Sequence, residues 1–259
     1  MINRQTSFCR IENKYLIPEA LVPFLSAALE AHMDRDPYAI HNGHYQVNTI
    51  YFDDPQDNVV GRSIAHPSYK EKLRLRSYGG SNPIYFIEFK NKFYCDVFKV
   101  RIILSEKEYL AFVFQQTLPS KNGNYQHDRF IDTLADFMQR HGKIIPRSVI
   151  QYDRAAYVNK PFDPYLRVTI DSSLTFRREN FHLNDLGGSP LLGEGLNILE
   201  IKIERSLPLW LAQTLNELGI YRDRFSKYGA SFLDCEGKKI EIRLNPETEL
   251  KDKKSVVLA

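Results

Sequence analysis

Short runs of alternating apolar and charged residues recur along this chain. In Lys72-Leu73-Arg74-Leu75-Arg76 an extended backbone sends Leu73 and Leu75 to one face and Lys72, Arg74 and Arg76 to the other. The same period of two predicts strands over Phe8–Ile17, Tyr45–Phe52, Tyr85–Lys92, Phe98–Leu104, Val149–Tyr157, Leu166–Asp171, Ile198–Glu204 and Lys239–Leu244. Helical spacing appears after Pro18, with Leu21, Phe24, Leu25, Ala28 and Leu29 on one stripe. Ser105 and Glu108 form a capping box for a helix to about Thr117, a second helix runs from Asp128 to His141 with Gly142 as its stop, and a third runs from Ser206 and Pro208 to Gly219. Residues 34–44 and 184–197 read as loops, Asp53-Asp54-Pro55 and Ser81-Asn82-Pro83 as turns, and Arg222–Lys227 as a short basic segment.

Composition narrows the class. A chain of 259 residues with 43% hydrophobic residues can bury a substantial core. It shows no repeat and no Ser/Gly linker, so one domain over 1–244 is expected, followed by a charged, flexible tail over 245–259. The 35 basic residues nearly balance 32 acidic ones, which argues against a general polyanion-coating surface and leaves local clustering as the source of any anion site. Cys9, Cys95 and Cys235 are odd in number and far apart, as expected of reduced thiols, not of a disulfide framework or a zinc site. With no leader-like start and no apolar run near the ~20 residues of a membrane span, a soluble, cytoplasmic chain without a membrane segment is expected.

The charged strand faces admit two readings. One is an ordinary antiparallel sheet with a solvated face. The other is a closed barrel whose polar faces turn inward around a ligand. An interior rich in Arg and Lys with a few carboxylates would suit only a polyanion, because an unpaired buried charge is costly. Arg offers forked donors to phosphate oxygens, Lys a point charge, and a glutamate can hold a divalent ion against those oxygens. Period two does not say which face is inside.

Seven short motifs occur in order: Lys14-Tyr15, Leu73-Arg74-Leu75-Arg76-Ser77-Tyr78-Gly79, Ile87-Glu88-Phe89-Lys90, Lys99-Val100-Arg101, Tyr152-Asp153-Arg154-Ala155-Ala156-Tyr157, Leu199-Glu200-Ile201-Lys202 and Arg224-Phe225-Ser226-Lys227-Tyr228. Together they resemble the catalytic domain of the vacuolar transporter chaperone (VTC) polyphosphate polymerases, within the triphosphate tunnel metalloenzyme (CYTH-like) superfamily. The resemblance covers about residues 8–232. It implies an α+β fold with a closed antiparallel β-barrel tunnel and peripheral helices. It also implies transfer of the terminal phosphate of ATP onto a growing inorganic polyphosphate chain, assisted by Mn²⁺ or Mg²⁺.

Carried over residue by residue, Arg74, Arg76, Lys90, Arg154 and Lys202 would bind the reacting phosphates and Glu200 the metal. Lys14, Lys99, Tyr152, Arg167, Arg224, Ser226 and Lys227 would bind substrate or line the mouth. Two departures stand out. Arg10 occupies the opening position where superfamily hydrolases have glutamate, and Arg224 stands where a lysine is common. The chain lacks the regulatory and membrane domains of the eukaryotic complexes, so a stand-alone enzyme, or one with partner proteins the sequence does not reveal, is expected.

Other readings belong beside this one. A hydrolase of the same fold would use water as acceptor, and a non-catalytic module would bind ATP or polyphosphate without turnover. Nucleic acid is disfavoured, because aliphatic rather than aromatic residues alternate with the charges. The seven histidines show no metal or triad spacing. Glu12 and Glu204 read as salt-bridge partners, Asp53-Asp54 as turn caps, and Trp210 as helix core.

Overall fold

The computed structural model describes residues 11–38, 43–66, 68–79, 83–94, 96–159 and 166–235. Arg10, Cys9, Cys95, the Ser81-Asn82 turn, the Lys239–Leu244 strand and the tail from Asn245 lie outside the described residues. The strands are β1 (Ile11–Pro18), β2 (Met33–Arg35), β3 (His44–Asp53), β4 (Tyr69–Tyr78), β5 (Tyr85–Phe93), β6 (Asp96–Leu104), β7 (Ile145–Asn159), β8 (Arg167–Arg177), β9 (Ser189–Pro190) and β10 (Leu196–Ile203). The helices are α1 (Val22–His32), α2 (Asn58–Ala65), α3 (Glu106–Gln115), α4 (Tyr125–His141), α5 (Leu209–Glu217) and α6 (Lys227–Cys235). None of the described helices is long and apolar enough to cross a membrane.

All strands join one antiparallel sheet in the order β1-β10-β8-β7-β3-β4-β5-β6, with β2 added to β7 and β9 to β8. The α+β class holds. The closed barrel is not supported, because among the described residues β1 and β6 are the two ends of the path and are not paired. The free side of β1 is met instead by the backbone of Asp223, whose N–H donates to the Lys14 carbonyl at 2.8 Å. The sheet nevertheless curls far enough for Lys90 on β5 to reach Glu12 on β1 at 3.7 Å. The polar face is therefore the inside of an open, strongly curved sheet.

Helices clothe the outer face. Ile50, Leu73, Leu75, Ile87 and Phe89 pack under Phe112 of α3 and Phe130, Leu134 and Phe137 of α4. Toward the other edge Ile17, Tyr157, Val168, Leu199 and Ile201 pack under Leu25 and Leu29 of α1 and Leu211 of α5. Trp210 joins this layer from α5 and stacks on His32 at 4.2 Å between ring centroids. Phe24 departs from the predicted stripe, being 66% exposed. The α3 capping box forms as read, with Ser105 Oγ accepting from the Glu108 N–H and the Glu108 carboxylate accepting from the Ser105 N–H.

Two helices position the site. The inner face is apolar at one end, where Leu16, Val47, Tyr51, Ile150 and Ile198 are covered by Phe225, and by Tyr228 and Ala230 of α6. The buried carboxylate of Asp53 holds this cover down. It accepts from the backbone N–H groups of Asp54, Val59 and Val60 and from the Tyr228 hydroxyl, at 2.8–2.9 Å. Asp53 thus satisfies the N-terminal donors of α2 and ties α6 to it.

Candidate functional site

The register of the ladder gathers the charges. Arg74 on β4 lies opposite Glu88 on β5, and Glu88 lies opposite Arg101 on β6. The Glu88 side chain is only 1% exposed. Its Oε2 accepts from Arg74 Nε at 2.6 Å and lies 3.8 Å from Arg76 Nη1, and its Oε1 lies 3.0 Å from Lys99 Nζ and 4.0 Å from Arg101 Nη1. Burial opposes the charge on Glu88, but Arg74, Arg76 and Lys99 outweigh it and hold the carboxyl well below its ordinary range.

A second nucleus lies across the cleft. Arg154 on β7 clamps Asp171 on β8 with Nε and Nη2 at 2.6 and 2.7 Å, and Lys227 at the start of α6 reaches the same carboxylate at 2.6 Å. Glu200 on β10 sits among four cations. Its Oε1 is 3.4 Å from Lys14 and 3.6 Å from Lys227, and its Oε2 is 3.4 Å from Lys202 and 3.9 Å from Arg154. Burial disfavours ionisation of Glu200, yet Lys14, Lys227 and Lys202 keep its carboxyl far below the usual value. The Tyr152 ring is the floor under this group, with Lys227 Nζ and Arg154 Cζ 4.8 and 5.1 Å from its centroid.

Glu12 bridges the two nuclei, 3.3 Å from Lys14 and 3.7 Å from Lys90. Burial works against its charge, but Lys14, Lys202 and Lys90 prevail and lower it to about 2. The segment before α6 completes the lining: Lys14 Nζ donates to the Phe225 carbonyl at 3.2 Å, and Lys72 Nζ to Ser226 Oγ at 3.0 Å.

Of the residues singled out in sequence, Arg74, Arg76 and Lys99 gather around Glu88, and Lys14, Arg154, Lys202 and Lys227 around Glu200 and Asp171. Lys90 joins them through Glu12. Ser226 touches the group through Lys72. Arg167 lies opposite Lys202 on the same face, with its Nη2 donating to Asp36 at 2.7 Å and to the Tyr45 hydroxyl at 3.4 Å. Arg224 is exposed on the segment before α6. Tyr152 takes part through its ring, stacked beneath cations within an apolar cluster.

Sequence reasoning missed Glu88, Asp171 and Lys72 as members of the site. The signal was present, since Glu88 shares the parity of Lys90, Asp171 that of Arg167, and Lys72 that of Arg74. Rows of like charge on one face need interleaved carboxylates or a bound anion.

Among the described residues no three His, Cys, Asp or Glu side chains come together as a ready-made metal site. The carboxylate oxygens present suit a hard divalent ion that needs only one or two ligands from the protein. Glu200 and Glu12, both ionised and both in contact with Lys14, are the carboxylates that would hold such an ion.

The chain belongs to the VTC domain family, whose profile matches residues 9–233. No curated protein matches it. Solved structures with similar backbones include a candidate adenylate cyclase from Bacillus halodurans, at 14% identity over 92% of this chain and 94% of that one, with a TM-score of 0.48. A protein from Pyrococcus horikoshii OT3 is similar at 12% identity over 94% and 99% of the two chains, with a TM-score of 0.40. One chain of the Schizosaccharomyces pombe Mediator head module is similar at 12% identity over 87% of this chain and 94% of that one, with a TM-score of 0.41. At such identities and scores these likenesses bear on neither substrate nor activity.

Proposed function

We propose that this VTC-domain protein is an ATP–polyphosphate phosphotransferase that lengthens inorganic polyphosphate inside the cation-lined cleft. The observation that carries the reading is the convergence of Lys14, Arg74, Arg76, Arg154, Lys202 and Lys227, from five separate elements, on one enclosed face. Carboxylates there are fewer than cations, and a row of linked phosphates supplies the missing negative charge.

Phosphoryl transfer asks for positioning and charge neutralisation more than for covalent help from the protein. Arg74 and Arg76 on one wall and Arg154 and Lys202 on the other cradle the triphosphate. A terminal oxygen of the polyphosphate attacks the γ-phosphorus of ATP, the bond from that phosphorus to the β–γ bridging oxygen breaks, and ADP leaves with the electron pair. The attacking phosphate oxygen is already ionised near neutral pH, so no general base is needed. Glu200, with Glu12 beside it, would hold Mn²⁺ or Mg²⁺, which supplies charge neutralisation on the phosphate oxygens.

Incubation of the purified protein with ATP and Mn²⁺ tests this reading. Long polyphosphate on a gel is the expected product. Orthophosphate without polymer would make the protein a hydrolase of this fold, and nucleotide binding without turnover would make it a binding module. ATP, polyphosphate and a divalent ion are the partners this reading requires, and a soluble cytoplasmic location suits it.

Binding should also carry a proton signature. Burial, then the charges of Lys14, Lys90, Lys70 and Arg74, lower the Lys72 ammonium to about 7, with Ser226 Oγ its neutral neighbour. At pH 8 the unliganded side chain is mostly neutral, and a bound polyanion raises its pKa again. Calorimetric titration with tripolyphosphate at pH 8, in buffers of different ionisation enthalpy, should show proton uptake that Lys72→Met diminishes. Heats independent of buffer would refute this.

A further inference from the structure

The charged rows of the cleft are not alike. Moving along β4 and β5 away from Glu88, the next cross-strand pair is Lys72 opposite Lys90, with Lys99 on the far side of Lys90. The row after that sets Lys70 opposite Lys92. Like charges directly opposite on neighbouring strands destabilise a sheet. Lys99 answers Glu88 at 3.0 Å and Lys90 answers Glu12 at 3.7 Å. Among the described residues Lys70, Lys72 and Lys92 have no carboxylate within 4.0 Å, and Lys72 meets only the neutral Ser226 hydroxyl. Burial, then Lys92, Lys14 and Arg224, hold the Lys70 ammonium below its ordinary value. A fold that retains two successive rows of opposed lysines keeps a conflict that an anion removes.

We propose that Lys70, Lys72 and Lys92 form a second anion subsite, continuous with the triphosphate cradle, that holds phosphates of an inorganic polyphosphate chain beyond the first three. This rests on the phosphotransferase reading above and deepens it. The two rows are about 7 Å apart along the strands, so they extend the cradle in the direction of the strands and do not merely widen it. The aromatic residues at this end do not favour a nucleic acid. Tyr69 and Phe93 pair with each other at 6.4 Å between centroids, on the parity opposite to the lysines, and offer no ring to a base in the lysine rows.

The test uses the full chain and its K70Q/K92Q variant, which relieves repulsion between the two positions and so should fold. Affinities for tripolyphosphate and for long-chain polyphosphate are measured by calorimetry over a series of salt concentrations. Loss of two charge-assisted contacts should weaken long-chain binding about tenfold, with tripolyphosphate changed less than about twofold. The salt dependence of long-chain binding should fall by a slope of about one to two. Equal losses for both ligands, no loss for either, or displacement of polyphosphate by a single-stranded oligonucleotide as readily as by polyphosphate itself would overturn the subsite. Wild-type protein that binds neither phosphate ligand would instead sink the phosphotransferase reading on which the subsite rests. Wild type that binds both, with an unchanged variant, would sink the subsite alone.

Discussion

Replacing Glu200 by Gln is expected to cut metal-dependent turnover of ATP on the order of 100-fold, while tripolyphosphate binding is retained or tightened. The two effects diverge because Glu200 has two jobs in this cleft. Its charge offsets Lys14, Lys227, Lys202 and Arg154, which lie 3.4–3.9 Å from its oxygens. Removing that charge leaves the four cations with less compensation, which favours an incoming polyanion. The same change removes the principal carboxylate proposed to hold the divalent ion, which costs turnover. Single-turnover kinetics with ATP and calorimetry with tripolyphosphate separate the two. Unchanged turnover overturns the role of Glu200. Loss of both turnover and binding in a variant with a native circular dichroism spectrum would show that it acts only by arranging the cations.

That these charges share strand faces was legible from alternation, their grouping as a phosphate site came from the family resemblance, and the reasons for the exceptions are local. Lys72-Leu73-Arg74-Leu75-Arg76 and Leu199-Glu200-Ile201-Lys202 keep a strict period of two, and each places its charges inside as a consequence of the register. The pattern could not say that the face was concave. That follows from sheet curvature and from α6, which covers the apolar end of the same face. Helix α2 escaped detection because Val59, Val60 and Gly61 are weak helix formers, and its N-terminal donors are satisfied by the distant side chain of Asp53. Strand β8 runs on past Asp171 to Arg177, but Ser173 has φ of 53° and the register against β7 shifts there, so the alternation slips. Arg167 obeys the alternation and lies opposite Lys202, but its ion pair is with Asp36, from the stretch read as a loop, which no alternation could foretell. The predicted closure failed at a point no periodicity reports: whether the two end strands find each other or, as here, Asp223 occupies the free side of β1.

Glu88→Gln is expected to destabilise the unliganded protein by about 3 kcal/mol, and saturating tripolyphosphate should restore a large part of that loss. Glu88 is 1% exposed and is the carboxylate that Arg74, Arg76 and Lys99 share. Gln is nearly isosteric and still accepts from Arg74, so packing is kept while the charge is lost. The cost then reports buried cations left without a counter-charge, and an anion bound in the cleft can take its place. The pH dependence has a definite sign. The folded-state pKa of Glu88 lies well below its ordinary value of 4.5, so its stabilising contribution is complete above about pH 4.5 and fades as the pH falls below it. Urea unfolding of the two proteins should therefore show a stability gap that is constant near neutrality and narrows progressively below pH 4.5. Ligand should raise the stability of the variant more than that of the wild type. A gap that is insensitive to both acid and tripolyphosphate would mean that Glu88 stabilises the fold by packing alone, and that the cluster around it is not a phosphate cradle.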